Sequence, residues 1–371
     1  MKLTLTVLGF AAISGLASAQ EVVVKLGHVA PLSGPQAHYG KDNENGAKLA
    51  IADLNTKGWT LGGRKIKWEL VSEDDAADPK LGTIVAQKLV DAKVAGVIGH
   101  LNSGTTIPAS KIYHDSKIPQ ITPSATNPKY TQQGYPGAFR NIANDNALGA
   151  AVAIFAASTG AKNAAVIDDR TAYGQGVAEV FKKTAAARGL NLVAEEYTND
   201  KATDFRAILT KIKSRNPDTV FYGGMDAQAG PMLKQMKEMG INARFLGGDG
   251  ICSAELAKLG EGNVGSNVIC AEGGDALSKM PGGAAFQKQY KDAYKADIQV
   301  YAPYVYDATM AMATAINTAQ STDGTKLIAT LKALKMSGVT GAISFDATGE
   351  LNNAAVTLNT YKDGKKLPLV K

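Results

Sequence analysis

The sequence has few of the residues that build metal sites and redox centres. Its 371 residues include only two cysteines and four histidines. The cysteines, Cys252 and Cys270, lack the Cys-x-x-Cys spacing of a redox or zinc site, and the histidines have no helical or zinc-finger spacing. The glycine clusters at 223–224 and 247–250 fit neither the dinucleotide nor the P-loop pattern. We therefore expect neither a metal ion nor a cofactor.

The sequence also lacks a concentrated basic segment. Lysine and arginine total 40 against 34 acidic residues, which gives a net charge of +6 and a pI near 9.0. The densest basic spots are only the doublets Lys182-Lys183 and Lys365-Lys366. A dispersed charge of this kind is typical of a solvated surface and argues against nucleic-acid binding.

Long apolar runs are absent after the first residues of the chain. Leu3 to Leu16 is an apolar stretch that follows Lys2 and precedes the small residues Ala17-Ser18-Ala19. This pattern predicts a signal peptide over residues 1–19 with cleavage before Gln20. The alternative, a membrane anchor, needs about 20 apolar residues. No cysteine follows the cleavage site, so we expect no lipid anchor and an exported, periplasmic protein of a Gram-negative cell.

The two cysteines then have a simple interpretation. In an oxidising compartment a lone pair of cysteines favours one local disulfide between Cys252 and Cys270. The alternative is a pair of reduced, buried cysteines. In either case we expect a structural role.

Predicted strands alternate with predicted helices of ten to fifteen residues, which indicates an α/β fold with parallel sheets. A chain of 371 residues exceeds what one hydrophobic core usually supports, so we expect two doubly wound lobes with a hinge near residues 141–146. The predicted strands are Val22–Val29, Ile66–Val71, Val94–Gly99, Ile118–Thr122, Phe139–Ile142, Ala164–Asp168, Leu192–Tyr197, Thr219–Gly223 and Arg244–Gly247.

Ligands of parallel sheets bind where strands end at their carboxyl side, so the loops there are the candidate site. Ser103 lies at a predicted helix start, and Thr122-Pro123-Ser124-Ala125-Thr126 follows the next strand. Hydroxyls and free N–H groups on two adjacent strand ends suit a carboxylate. Asp249 follows another strand and would suit an ammonium. The alternatives are a helix cap for Ser103 and a simple turn for Asp249.

Short segments spread over nearly the whole chain resemble the periplasmic leucine/isoleucine/valine-binding proteins, the type I solute-binding components of ABC transporters. The order and spacing of these segments carry the resemblance: Pro31-Leu32-Ser33-Gly34-Pro35, Tyr39-Gly40, Glu73-Asp74-Asp75, Asp78-Pro79, Gly99-His100-Leu101-Asn102-Ser103, Pro108-Ala109-Ser110, Ile121 to Thr126, Tyr173-Gly174-Gln175-Gly176, Asp204-Phe205 and Tyr222-Gly223-Gly224.

The resemblance implies a type I periplasmic binding protein with two Rossmann-like lobes and three interlobe crossovers. The N-terminal lobe would comprise residues 20–143 and 272–348, and the C-terminal lobe residues 144–271 and 349–371. It also implies a non-enzymatic monomer that captures a branched-chain or related amino acid by lobe closure and delivers it to permease subunits. A sensory role and an exported enzyme are the alternatives.

The resemblance also assigns roles to individual residues. Ser103 and Thr126 would hold the ligand carboxylate. The Ser124 carbonyl, the Tyr173 hydroxyl and Asp249 would hold the ammonium. The positions that would surround the ligand side chain are Tyr39, Leu101, Asn102, Met225 and Tyr301.

Three positions depart from the branched-chain pattern. Asn102 places an amide where an apolar wall is expected, Met225 replaces an aromatic residue, and Asp249 is one methylene shorter than the usual glutamate. A buried amide needs a hydrogen-bond partner. That partner is either the backbone or a polar ligand side chain, so a polar amino acid, an amide or a small organic acid is the alternative ligand.

His100 lies three residues before Ser103. This spacing suggests a catalytic pair in which Ser103 is the nucleophile and His100 is its base. Catalysis of that kind also needs an orienting acid and an oxyanion site, and no Gly-x-Ser-x-Gly segment is present. We therefore expect a structural role for His100 and no catalytic residue.

Overall fold

A computed structural model describes residues 21–369. The predicted signal peptide and its cleavage site lie outside these residues. Within them, no helix is both long enough and apolar enough to cross a membrane.

The first lobe is built around a six-stranded sheet with the strand order β2-β3-β1-β4-β5-β6. The strands pair in parallel, except that β2 pairs antiparallel with β3. Its elements are β1 (Val22–Ala30), α1 (Ala37–Thr56), β2 (Thr60–Leu61), β3 (Arg64–Asp74), α2 (Pro79–Asp91), β4 (Gly96–Gly99), α3 (Ser103–Asp115), β5 (Gln120–Thr122), α4 (Lys129–Gln132) and β6 (Ala138–Arg140).

The second lobe has a seven-stranded sheet with the order β15-β14-β11-β10-β9-β7-β8. The chain enters this lobe through α5 (Asp145–Ser158), β7 (Asn163–Asp168), α6 (Ala172–Ala187), β8 (Asn191–Tyr197), α7 (Arg206–Ser214), β9 (Thr219–Gly223), α8 (Asp226–Glu238), β10 (Arg244–Gly247), α9 (Glu255–Leu259) and β11 (Val268–Gly273).

The chain then returns to the first lobe and crosses over once more at the end. The returning segment contains α10 (Gly283–Tyr294), α11 (Ala302–Ala319), α12 (Gly324–Lys332) and the short pair β12 (Met336–Ser337) and β13 (Ala342–Ile343). The last two strands are β14 (Val356–Lys362) and β15 (Lys365–Pro368), and both pair antiparallel at the edge of the second sheet. The sheet of the second lobe is therefore mixed, which the alternating pattern did not predict.

Local sequence explains several element boundaries. Helix α2 begins at Pro79 because Asp78 caps it: the Asp78 side chain accepts hydrogen bonds from the backbone N–H groups of Lys80 and Leu81. Its buried face, which includes Val85 and Leu89, packs in a hydrophobic cluster between the sheet and α3. The sequence pattern, with a proline well placed at a helix start, predicts a helix over these same residues, 79–91.

The crossovers are tied together by a buried ion pair. The Arg140 guanidinium, at the end of β6, bonds both carboxylate oxygens of Glu350, with Nε–Oε2 and Nη2–Oε1 distances of 3.0 and 2.9 Å. Arg140 is fully buried and also donates to the carbonyls of Ala125 and Asn127. A bidentate pair of this kind fixes the first crossover against the third.

The strand pairing places two crossovers a few residues away from the predicted lobe boundaries. Glu272 and Gly273 still pair with β14 in the second sheet, because the antiparallel ladder continues to Gly273. Gly349 stays with the first lobe, since its carbonyl accepts a hydrogen bond from the Arg140 N–H at 2.9 Å. The second sheet resumes only at Val356.

A disulfide joins Cys252 and Cys270, whose Cα atoms are 5.6 Å apart. Cys252 lies after β10 and Cys270 lies in β11, and both are fully buried. The predicted pairing is thus present in the structure and belongs to the core of the second lobe.

Replacement of Glu350 by glutamine should destabilise the protein. Glu350→Gln leaves the Arg140 charge buried without its counter-ion, and we expect the free energy of unfolding to fall by about 3 kcal/mol. Urea unfolding measures this change. The control is Glu261→Gln, which breaks an exposed pair with Lys234 and should cost less than about 1 kcal/mol. Equal unfolding midpoints in the two variants would contradict the role of the buried pair.

Candidate functional site

A small cavity of about 10 Å³ lies between the two lobes. Eight of the ten predicted site residues line it: Leu101, Asn102, Ser103, Ser124, Tyr173, Met225, Asp249 and Tyr301. They come from loops after strands of both sheets, and Tyr301 directly precedes α11. Thr126 and Tyr39 are not part of the lining, although both are fully buried next to residues that are.

The first-lobe side of the cavity is formed at the start of α3. Asn102 is the residue that precedes this helix, but its side chain makes no capping hydrogen bond. The N–H groups of the first turn therefore lack that cap. The Ser103 hydroxyl is buried and accepts a hydrogen bond from the Asn127 N–H at 3.2 Å. This helix start offers N–H groups and a hydroxyl that suit an anion.

The loop after β5 contributes the neighbouring wall. The Thr122 hydroxyl accepts a hydrogen bond from the Ala125 N–H at 2.9 Å, which holds the loop in a turn. The Thr126 hydroxyl is buried and makes no well-formed hydrogen bond among residues 21–369. It lies beside the carboxyl of Asp145, where it opposes the rise in the pKa of that acid. The hydroxyl can therefore donate either to Asp145 or to a ligand acceptor.

Asp249 faces these groups from the second lobe. Its two carboxylate oxygens accept hydrogen bonds from the hydroxyls of Tyr173 at 2.8 Å and Tyr301 at 2.9 Å. Burial raises the pKa of Asp249 to about 6, although the bonds from Tyr173 and Tyr301 oppose that rise. The carboxylate is thus a buried negative charge with no cation beside it in the part of the chain that the structure describes.

The lobes touch directly around the cavity. The Tyr39 hydroxyl donates to the Gly250 carbonyl at 3.0 Å, and the Asn127 amide donates to the Ala172 carbonyl at 2.5 Å. A third contact joins His38 Nε2 to Asp226 Oδ2 at 2.8 Å. Together with the bond between Tyr301 and Asp249, these contacts define a closed arrangement of the lobes.

Sequence reasoning missed Asp145, the first residue of α5. It is fully buried, and neither carboxylate oxygen has a hydrogen-bond partner among the described residues. Burial, and secondly the charge of Asp249, raise the pKa of Asp145 to about 8. Its sequence signal, an Asn-Asp pair at a helix start, resembles an ordinary cap, so only the fold reveals the buried acid.

His100 occupies a structural position. Its two ring nitrogens lie 3.0 Å from Asp75 Oδ2 and 3.0 Å from the Tyr113 hydroxyl, and all three side chains are buried. Ser103 instead bonds Asn127. The pair of nucleophile and base that the spacing of His100 and Ser103 suggests does not form, and His100 has the structural position that we expected.

The pH dependence of stability should reveal Asp145. Because its pKa is about 8 in the folded protein and about 4 when unfolded, the folded state holds the extra proton between these values. Stability is therefore lost as the pH rises from about 4 to about 8, and it levels off above pH 8. Calorimetry should show the melting temperature falling from pH 6 to pH 8, and falling less in Asp145→Asn.

Asp249→Asn is the matched control for this measurement. The contribution of Asp249 to the pH dependence ends near pH 6, so the loss of stability between pH 6 and pH 8 should persist in that variant. An identical slope in the wild type and in Asp145→Asn would contradict the assignment of the raised pKa.

The chain is similar to known binding proteins over almost its whole length. It is 37% identical over 336 residues to the Leu/Ile/Val-binding protein homolog 1 of Brucella suis, covering 89% of this chain and 87% of that protein. The leucine-binding protein LivK of Thermotoga maritima superposes with a TM-score of 0.86 at 26% identity, covering 94% and 98% of the two chains. The branched-chain amino acid binding protein LivJ of Streptococcus pneumoniae, solved with isoleucine, gives 0.85 at 27%, covering 94% and 99%.

The family comparison agrees with these relatives. The sequence pattern of the periplasmic binding proteins matches residues 23–366. The expected fold class, two Rossmann-like lobes of α/β type, is confirmed by the solved relatives. On these grounds the chain belongs to the periplasmic binding protein family, whose members bind solutes for transport and are not enzymes.

Proposed function

We propose that this protein captures an α-amino acid between its two lobes and delivers it to the permease of an ABC importer. The relatives that carry leucine, isoleucine and valine in their names, and the one solved with isoleucine, support an amino acid as the ligand. The site supports it independently through the chemistry of its two halves.

One observation carries the proposal: the first-lobe side of the cavity presents groups that suit an anion, and the second-lobe side presents a carboxylate that suits a cation. The first lobe presents a helix start with the Ser103 hydroxyl, and the Thr126 hydroxyl lies nearby. These groups suit the ligand carboxylate. The second lobe presents Asp249. A buried carboxylate is stabilised by a cation, and the ligand ammonium supplies one.

The remaining predicted residues complete this arrangement. The Ser124 carbonyl and the Tyr173 hydroxyl are the further acceptors for the ammonium. Leu101, Asn102, Met225, Tyr39 and Tyr301 surround the ligand side chain. Tyr39 acts from just behind the lining, where its ring lies 5.7 Å from that of Tyr301, measured between ring centroids.

Capture follows from lobe closure. The ligand binds first to the first lobe and the second lobe then closes over it, which excludes water and strengthens the charged contacts. The closed shape is the form that the permease recognises. We propose a monomer, exported through the signal peptide of residues 1–19 to the periplasm, whose chain passes between the lobes near residues 143, 273 and 350.

A thermal-shift screen of the twenty amino acids, with benzoate as an organic acid lacking an ammonium, tests the proposal. A ligand at about 100 times its dissociation constant should add about 2.7 kcal/mol of stability. Asp249→Asn and Ser103→Ala should each abolish this gain while remaining folded. The control Asp204→Asn breaks an exposed ion pair with Arg206, and it should keep the gain in stability. Stabilisation by benzoate alone, or by no amino acid, would contradict the proposal.

The affinity for the amino acid should depend on the ionisation of Asp249. The ammonium binds the carboxylate form, and the pKa of that carboxyl is about 6. Below pH 5 the dissociation constant should therefore rise about tenfold for each unit of pH. Calorimetric titrations between pH 4.5 and 8 measure this profile.

The same titrations in Asp145→Asn separate the two buried acids. The fall in affinity below pH 6 should persist in that variant, because Asp249 is intact. A flat profile in the wild type would contradict the role of Asp249.

A further inference from the structure

The amide of Asn102 is the polar group at the side-chain end of the cavity. Leu101 and Met225, which line the cavity with it, are apolar. The partners of this amide therefore decide whether the side-chain end suits an aliphatic or a polar ligand.

One half of the amide has a partner within the first lobe. Asn102 Nδ2 donates to Gln36 Oε1 at 2.7 Å. Gln36 and Asn102 each precede a helix, α1 and α3 respectively, and neither side chain caps its own helix. Asparagine before a helix usually turns its oxygen onto the first N–H groups. Here the bond to Gln36 holds the amide away from that position.

The other half of the amide has no partner. Asn102 Oδ1 is buried, and no hydrogen-bond donor among residues 21–369 reaches it. An unsatisfied buried acceptor is destabilising, so its presence beside a cavity needs a physical reason. The described part of the backbone does not provide one, since within residues 21–369 this amide bonds only Gln36.

The position of the acceptor limits the ligand group that reaches it. Asn102 directly precedes Ser103, the residue at which the proposed function places the ligand carboxylate. With the carboxylate placed there, a donor bonded to Asn102 Oδ1 belongs to a short side chain and lies near the ligand Cα. The apolar walls of Leu101 and Met225 accept a methyl group beside it.

We propose that Asn102, oriented by Gln36, selects an amino acid whose short side chain donates a hydrogen bond, with threonine as the best fit. This inference rests on the proposed function, because it places the α-amino and carboxylate groups at Asp249 and Ser103. Threonine presents a hydroxyl to Asn102 Oδ1 and a methyl to the apolar wall. Valine, which has the same shape, leaves the acceptor unsatisfied.

The paired ligands threonine and valine isolate this one hydrogen bond. Calorimetry on the full mature protein should give a dissociation constant for threonine about ten- to a hundredfold lower than that for valine. Asparagine and leucine form a second pair of similar shape and should follow the same order. Aspartate, which offers an acceptor in place of a donor, should bind more weakly than asparagine.

Variants test the residue and its positioning partner. Asn102→Leu restores an apolar wall, so it should reverse the order of threonine and valine in favour of valine. Gln36→Met frees the amide to rotate, and it should reduce the ratio between threonine and valine without loss of alanine binding. A ratio that is unchanged in Asn102→Leu would overturn the inference.

The outcomes separate the two proposals. Binding of alanine with valine equal to or tighter than threonine in the wild type would overturn the selection by Asn102 and leave the amino acid site standing. Aspartate bound more tightly than asparagine would also overturn it, since the amide would then present its donor. Failure of every amino acid to bind would overturn both proposals.

Discussion

A buried negative charge at the interface of two lobes is the constraint on which the rest of this structure depends. Asp249 is held by hydroxyl groups from both lobes, Tyr173 from the second and Tyr301 from the first. These bonds satisfy its oxygens but bring no positive charge. The closed arrangement therefore leaves a buried negative charge uncompensated, and a cationic group of a ligand would stabilise it.

The hinge also contains a buried charge, and this one has its counter-ion within the protein. Arg140 lies where the chain leaves the first lobe, and its charge is paired with Glu350 on the final crossover. A second set of contacts joins Asn141 to the carbonyl of Tyr304, and Tyr304 to the carbonyl of Gly273. All three crossovers are thus linked by bonds that stay within a few residues of the hinge, so the lobes can rotate without breaking their own cores.

Features with a local cause were predictable from the sequence, whereas features set by tertiary contacts were not. The start of α2 follows from Asp78 and Pro79, and the strand Thr219–Gly223 was predicted with its observed bounds. The antiparallel strands β14 and β15 were missed because their position depends on the last crossover. Ser103, Ser124 and Asp249 line one cavity, as the strand-end argument expects, and the other five lining residues were implied by the resemblance. The binding roles of all eight remain predictions. Asp145 and the orientation of Asn102 depend on burial, which one sequence does not reveal.

The disulfide fixes the loop that carries Asp249. Cys252 lies three residues after this acid, and Cys270 lies opposite Gly247 in the neighbouring strand. β11 runs from that bond directly to the second crossover at Gly273. The acid-bearing loop is therefore covalently fastened to the strand that leads to the crossover. In the proposed closure, Asp249 would move with the whole lobe as part of a rigid arm, and the position of its charge would follow from rotation of the lobe rather than from refolding of a loop.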